Sequence, residues 1–363
     1  MRVLSNGAIV GLVAFSLGVA TFSSAKAQPQ GEVSESASQD EAAALWSFAE
    51  TSPSLRLASC PAGGSEQPPN ALAITVQPID LGPADERARQ LGMLTLAGAW
   101  QLEANHSGFG GLSGLAIMPS GALLSVSDKG AFITIGMDTA GGAPSGSGAI
   151  SYMKAADGTR LSGKYEYDAE GLDYRGGLAF VSFEHAHRIE AFNLEGCGAA
   201  AVAARVAELP GRLAGERINA NRGAEALTLI GDTLHVGYEQ RIGGETLISV
   251  LGGDGRLSLQ DRIQPADGHA LTGMDHDEAT GLTARLYRFY RSRLGNRIEI
   301  TVDGPNTTYK GIIRPPLPVD NFEGVALGRA PSGAPRLWLI ADDNFKPEDQ
   351  RTLLFALDLP TLD

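Results

Sequence analysis

Acidic residues recur at matching positions in four of five similar short segments of the chain. Each segment is typical of two apolar strands joined by a turn, with one key residue where the first strand begins and a second where the other strand ends. The first key residues are Ser113, Glu170, Glu225, Thr272 and Glu323, and the second are Asp128, Glu184, Glu239, Tyr290 and Asp342. In three of the five segments both positions are acidic, so the pattern predicts a concentration of negative charge.

The predicted hairpins bring these carboxylates together in pairs. Counting outward from the turns places each second key residue opposite, or one step from, the first on the same face of the sheet. The predicted acidic pairs are Glu170 with Glu184, Glu225 with Glu239, and Glu323 with Asp342. Carboxylates about 5 Å apart repel by about 3 kcal/mol at an effective dielectric constant near 20. A bound cation, neighbouring Arg or Lys side chains, or protonation must therefore offset the repulsion.

A bound cation is the interpretation that leads to chemistry. Oxygen-only ligands favour a hard cation, and Ca²⁺ accepts the irregular geometry that several strand ends would offer. Such an ion polarises an ester oxygen and lowers the pKa of bound water, whose proton we expect Glu184 or Glu239 to take. The predicted metal ligands are Asp128, Glu170, Glu184, Glu225, Glu239, Glu323 and Asp342.

The fourth segment breaks the acidic pattern with Thr272 and Tyr290. Arg288 lies two residues before Tyr290 and therefore shares its face of the strand. Guanidinium groups bind anions well, so we expect a small anionic ester as substrate. The predicted substrate-binding residues are Arg288, Arg291, Tyr290 and His185. The alternative is that His185 only lines the rim and that the acids are structural, bonding backbone N–H groups or pairing with arginines.

The elements that must position these residues are short strands. From Ala71 onward the sequence shows little helical period and many apolar runs separated by Gly, Pro, Asp and Asn. The hairpin recurs about every 50 residues, the period of a four-stranded propeller blade. "LAITVQPI" and "LTLAGAW" can supply a further blade and pair with the C-terminal "TLLFALDL" to close the ring. We therefore predict an all-β propeller of six blades, with five or seven blades as the alternatives, over residues 71–363.

The N-terminal region has a different composition. Arg2, the apolar stretch Gly7–Ala20 and the small residues of "AKA" predict a signal peptide over residues 1–27 and hence a periplasmic or secreted protein. Residues 28–70, rich in Ser, Ala, Glu, Gln and Pro, predict a linker or loosely ordered arm, in which Asp40–Glu50 is either a short helix or disordered. In an oxidising compartment Cys60 and Cys197 are either a disulfide or two buried thiols.

The overall charge narrows the partners. A net charge of −13 argues against nucleic acid as a partner, because binding a phosphate backbone needs clustered Lys and Arg. It suits cations instead. Beyond the signal peptide no apolar run is long enough for a membrane helix. We expect a monomer that acts on a small molecule.

Several motifs, taken in order, resemble the phytase-like domain family, whose members are described as having esterase-like activity of phytase. They are "GFGGLSGLAI", "DAEGLDY" with "FEHAHRI", "RGAEALTL" with "GYEQR", and "DNFEGVALG" with "LIADDNF", within Pro78–Leu359. The resemblance implies a bacterial, exported β-propeller that hydrolyses ester or phosphate-ester bonds with Ca²⁺. It supports only the seven predicted metal ligands as site residues. The family usually has a glutamate before Arg in the fourth hairpin, where this chain has Tyr290 before Arg291.

Two functions therefore remain open from the sequence. One is a cation-assisted hydrolase acting at an acidic central channel. The other is a non-catalytic binding or scaffold propeller in which the acids are structural and loops such as "TAGGAPSGSG" recognise a partner.

Overall fold

The computed structural model describes residues 44–61, 66–138, 140, 142–266 and 268–360. The predicted signal peptide, residues 1–27, lies outside this part of the chain. Among the described residues, no helix is long and apolar enough to cross a membrane.

Strands account for most of the described chain. The helices are α1 (Phe48–Ala58), α2 (Ala84–Leu91), α3 (Lys164–Tyr167) and α4 (Leu194–Cys197). The strands are β1 (Asn70–Ala73), β2 (Thr75–Pro78), β3 (Thr95–Glu103), β4 (Leu112–Ile117), β5 (Leu123–Ser127), β6 (Ala131–Met137), β7 (Pro144–Tyr152), β8 (Ala169–Arg175), β9 (Leu178–Phe183), β10 (Arg188–Asn193), β11 (Ala204–Glu208), β12 (Arg212–Leu213), β13 (Glu216–Arg217), β14 (Ala224–Ile230), β15 (Thr233–Tyr238), β16 (Thr246–Leu251), β17 (Leu257–Ile263), β18 (Ala270–Asp277), β19 (Leu282–Arg291), β20 (Gly295–Asp303), β21 (Thr308–Ile313), β22 (Asn321–Arg329), β23 (Pro335–Asp342) and β24 (Leu353–Asp358).

These strands form a propeller of five blades, each an antiparallel sheet. Blade one is β4 to β7 with β1 at its edge, blade two is β8 to β11, blade three is β14 to β17, and blade four is β18 to β21. Blade five has the order β22, β23, β24, β3, β2. The innermost strands β4, β8, β14, β18 and β22 each contact the next, and β22 contacts β4, so the ring is closed.

The prediction of six blades is wrong, although the predicted closure is found. β3 pairs with the C-terminal β24, with Gln101 opposite Leu353, so the N-terminal strands become the outer strands of blade five instead of a separate sheet. The run "LAITVQPI" is divided between two blades, because Leu72 lies in β1 of blade one and Val76 in β2 of blade five. An outer strand carries no key residue, so nothing in the repeat marked these strands as part of an existing blade.

Small residues let the inner strands approach one another closely. In four of the five inner strands a glycine follows the first key residue. A Cβ on Gly324 would lie 2.2 Å from the carbonyl oxygen of Ser113 on the next inner strand, and one on Gly273 would lie 2.6 Å from that of Glu323. Such distances are far below van der Waals contact, so only glycine fits at these positions. In "NFEGVALG" the acidic Glu323 therefore directly precedes a glycine that the close packing of the inner strands requires.

Part of the segment predicted as an arm packs against blades two and three. Trp46 is buried with its ring edge-on to Phe180, at a centroid distance of 5.9 Å. α1 begins at Phe48, later than the predicted helix, where the Ser47 side chain accepts a hydrogen bond from the backbone N–H of Glu50. Cys60 and Cys197 form a disulfide, with their Cα atoms 5.8 Å apart, which ties the end of this segment to blade two.

Candidate functional site

A β-bulge at the same level of every inner strand places the first key residue. The pairing of β22 with β23 jumps from Phe322 to Gly324, which leaves Glu323 outside the ladder, and the pairing of β14 with β15 omits Glu225 in the same way. Ser113, Glu170 and Thr272 lie in the corresponding jumps of the other inner strands. A bulge inserts an unpaired residue and redirects its side chain. The repeat therefore presents one side chain per blade at the same end of the axis.

Because of these bulges the predicted acidic pairs are not directly opposed, although the predicted approach of Glu170 to Glu184 is found. Asp342 faces Asn321 and not Glu323. Likewise, the backbone N–H of Glu184 donates to the carbonyl oxygen of Asp168 at 2.9 Å, two residues before Glu170. Counting from the turns left out the extra residue that each inner strand contains. In each of these hairpins, the second key residue therefore lies opposite the residue that stands two positions before the first key residue.

Three carboxylates nevertheless converge in blade two. One oxygen each from Asp168, Glu170 and Glu184 lie within 4.8 Å of one another, and we call these three residues the acidic cluster. Asp168 and Glu184 are buried. The Lys164 Nζ and the His185 Nε2 each lie 3.2 Å from the Oδ2 of Asp168. The cluster thus has one lysine at its edge and no guanidinium contact among the described residues.

Burial and mutual repulsion raise the pKa values of the channel acids. Burial, followed by the charge of Glu323, raises the pKa of Asp128 to about 7. Burial also raises the pKa of Glu184 to about 7, although the backbone N–H of Gly223 donates to it at 2.5 Å and acts in the opposite direction. For Glu170 and Glu225, burial and then the neighbouring carboxylates raise the pKa well above its usual value. With pKa values of about 7, Asp128 and Glu184 are partly protonated near neutral pH when no positive charge is added.

Arg288 neutralises the other half of the channel. Its guanidinium lies 3.3 Å from Glu239 and 3.2 Å from Glu323, and it also donates to the side-chain oxygen of Asn321. Burial lowers the pKa of Arg288, but the surrounding carboxylates, with Glu323 first, raise it by more, so the group stays charged. Asn321 in turn donates to Glu323 at 2.9 Å and to Asp342 at 3.0 Å. The channel is therefore polarised, with a guanidinium on one side and the acidic cluster on the other.

The channel is a cup that opens at one end. Below the acids, the axial space lined by Gly171, Gly324 and Leu115 measures about 10 Å³, which is about the room for one water molecule. Above them a pocket of about 620 Å³ opens, with Arg288, Glu239 and Asn321 in its lining. Glu239 and Arg288 therefore belong both to the acidic channel and to the lining of this pocket.

The structure brings most of the predicted site residues to this end of the propeller. Arg288 and the exposed Tyr290 line the pocket, and His185 lies beside the acidic cluster. Arg291 instead lies over the ring of Phe289, 5.4 Å from its centroid, and is not among the lining residues. All seven acids predicted as metal ligands lie in the bulges of the inner strands or beside them.

Sequence reasoning missed four residues of the site. These residues are Asp168, Asn321, Arg222 and Arg241. The first two stand two residues before Glu170 and Glu323, so the two-residue period of a strand would have placed them on the same face. Arg222 and Arg241 lie in the loops that flank the third hairpin, and the sequence indicated them only as arginines able to pair with the acids.

Comparisons with known proteins give the family. No curated protein sequence matches the chain. Among solved structures, a thermostable family-43 glycoside hydrolase matches with 11% identity over 70% of this chain and 94% of that chain, at a TM-score of 0.42. An endo-arabinase from Bacteroides thetaiotaomicron VPI-5482 matches with 11% identity over 71% and 96%, at 0.42, and an alpha-L-arabinofuranosidase from Lactobacillus brevis with 12% identity over 68% and 90%, at 0.41.

At these identities and TM-scores, the solved structures carry no argument about fold or function. The family model gives a firmer result, since it matches residues 107–345 and so spans all five inner strands completely. This chain belongs to the Phytase-like family, described as esterase-like activity of phytase.

Proposed function

We propose that this protein is a cation-assisted hydrolase of small anionic esters, with its site at the open end of the propeller axis. The observation that carries the proposal is the convergence of three carboxylate oxygens within 4.8 Å on the side of the channel that Arg288 does not neutralise. The description of the family, esterase-like activity of phytase, agrees with ester hydrolysis. We further propose that the protein acts as a monomer.

The donor set of the acidic cluster fits a hard divalent cation such as Ca²⁺. The Oδ2 of Asp168 is buried and accepts no hydrogen bond from the described residues. Lys164 and His185 approach the Oδ2 of Asp168 without hydrogen-bonding geometry. Lys164 is 63% exposed, so its ion pair contributes little and its side chain is free to turn outward. Oxygen donors alone are the ligands that Ca²⁺ prefers.

A divalent cation held by the acidic cluster would polarise an ester oxygen and lower the pKa of a bound water molecule. We assign the proton transfer to Asp128, because a carboxylate with a pKa of about 7 both takes and returns a proton near neutral pH. The sequence predicted Glu184 or Glu239 as the base. Glu239 instead forms an ion pair with the guanidinium of Arg288. Glu184 belongs to the acidic cluster itself.

The test is turnover of 4-nitrophenyl phosphate and of short-chain 4-nitrophenyl esters by metal-free protein, before and after addition of Ca²⁺. We expect turnover only with the cation, and a loss of about 100-fold for Glu170→Gln, which is in the range of losing one acid–base or electrostatic group. Glu208→Gln is the matched control, because Glu208 lies on the outer strand of the same blade and is 83% exposed. Equal rates with and without cation would contradict the proposal.

The second candidate function is a non-catalytic binding propeller, and the neutralisation of Glu239 and Glu323 by Arg288 favours it. In that case Ca²⁺ raises the melting temperature, because it binds the native state, while no ester in the panel is hydrolysed.

We also propose that the protein is exported. The disulfide between Cys60 and Cys197 supports this location, because disulfides persist in oxidising compartments. Cell fractionation followed by thiol labelling tests it. Recovery of the protein in the cytosol with both thiols reactive would contradict the proposal.

A further inference from the structure

The pocket above the channel carries a charge opposite to that of the channel. Its described lining contains three arginines, Arg222, Arg241 and Arg288, and one carboxylate, Glu239. Amide side chains, including those of Asn296 and Gln350, complete much of the wall. In a chain with a net charge of −13, this positive mouth above an acidic cup is a local reversal of charge. An anion is therefore attracted to the mouth and repelled from the cup.

Arg288 is already engaged by the protein. Its guanidinium is shared among Glu239, Glu323 and the side-chain oxygen of Asn321. An incoming anion would have to compete with two carboxylates for it. Recognition of an anion at the mouth must therefore come from the other two guanidinium groups.

Arg222 and Arg241 are placed to provide that recognition. They flank the hairpin of blade three, Arg222 before β14 and Arg241 after β15. The Nε of Arg222 is 3.8 Å from Glu239, beyond hydrogen-bond distance, and its side chain is 64% exposed. The Nε of Arg241 donates to the carbonyl oxygen of Gly244 at 2.9 Å, and this hydrogen bond anchors the side chain at the rim. Among the described residues, no carboxylate forms an ion pair with the terminal nitrogens of Arg241. A guanidinium presents five N–H donors, so both groups keep donors for a ligand.

We propose that Arg222 and Arg241 form a subsite for an acidic group of the substrate, a carboxylate or a phosphate, separate from the ester bond that the channel hydrolyses. Planar guanidinium groups bind both kinds of anion through paired hydrogen bonds. The subsite would select esters that carry a second, remote negative charge. Its role in turnover rests on the proposed hydrolase function, but its affinity for anions does not.

The direct test is isothermal titration of metal-free protein with succinate and, separately, with inorganic phosphate. We expect both anions to bind, each at least tenfold more weakly to Arg222→Gln and to Arg241→Gln. Arg256→Gln is the matched control, because Arg256 lies in the same blade, is 88% exposed and is outside the pocket. We expect Arg222→Lys to recover part of the affinity, since it keeps the charge without the fork. Binding of only one anion assigns the subsite to that group.

Failure of this inference differs from failure of the proposed function. If neither anion binds wild-type protein, or if Arg291→Gln weakens binding as much as Arg241→Gln, the subsite assignment is wrong even when esters are hydrolysed. If the anions bind as expected and no ester is hydrolysed, the subsite stands and the hydrolase proposal falls. Where turnover is found, the half-ester mono-(4-nitrophenyl) succinate should have a KM at least tenfold lower than 4-nitrophenyl acetate, and Arg222→Gln should remove that difference.

Discussion

Replacing Arg288 by glutamine tests whether this guanidinium holds the channel together electrostatically. The substitution leaves Glu239 and Glu323 facing the same space without their counter-charge. At an effective dielectric constant of about 20, each contact near 3.3 Å amounts to about 5 kcal/mol before desolvation is subtracted. Removing one partner of a buried ion pair typically costs 3–5 kcal/mol, and the 23% exposure of the Arg288 side chain moves the expectation to the lower end. We expect a loss of about 3 kcal/mol at pH 8.

The measurement is urea unfolding of metal-free protein, with Arg222→Gln as the control. Arg222 faces the same Glu239 at 3.8 Å but is 64% exposed, so its loss should stay below about 1 kcal/mol. At pH 5 the defect of Arg288→Gln should shrink, because acids without a counter-charge bind protons more readily. At pH 8, Ca²⁺ should restore part of the stability by taking the place of the guanidinium. If both variants lose the same free energy, or if the loss is independent of pH, Arg288 is not the internal counter-ion.

Three further measurements address the acids, the ring and the disulfide. In metal-free buffer the free energy of unfolding should fall by a few kcal/mol between pH 5 and pH 8. The pKa values of Asp128 and Glu184 are about 7 in the folded chain and near 4 when unfolded, so the folded chain binds more protons than the unfolded chain in that window. Added Ca²⁺ should reduce this dependence on pH, and a rise in stability with pH would contradict the expectation. Gly324→Ala should cost about 1–3 kcal/mol by overpacking, whereas Gly211→Ala, whose added methyl meets nothing within 4 Å, should be nearly neutral in the same thermal melt. Replacing both Cys60 and Cys197 by serine should lower stability by about 2–5 kcal/mol, and a melt unchanged by reductant would show that the disulfide contributes nothing.

The sequence repeat correctly predicted the five inner strands that bear the key residues. It did not show that β2 and β3 are outer strands of an existing blade. Five first key positions were visible in the sequence, and five inner strands are found. The error in blade number arose from β2 and β3, since an outer strand shows the same apolar pattern whether it completes a blade or begins a new one. The pairing of β3 with β24 was predicted because a ring needs its two ends joined.

The site could be predicted only as far as periodicity reaches. A regular strand places every second side chain on one face, but a bulge shifts that alternation by one residue and leaves no compositional mark. Glu323 therefore seemed to face Asp342, whereas Asn321 does. Arg222 and Arg241 come from loops, whose positions depend on the whole ring and not on local pattern.

The Glu-Gly pair links the stability of the ring to the charge of the channel. Gly324 has no side chain because the carbonyl oxygen of Ser113 occupies that space, and this close approach of two inner strands also brings Glu323 within 3.2 Å of the Ser113 hydroxyl. Tight closure and carboxylate crowding therefore have one cause. The fourth blade relieves the crowding, because Thr272 replaces an acid and donates to the carbonyl oxygen of Phe322, while Arg288 from the same blade reaches the neighbouring acids. A ring with an acid at this position of the fourth blade would need an added cation to offset the repulsion, whereas in this protein the Arg288 guanidinium supplies that positive charge.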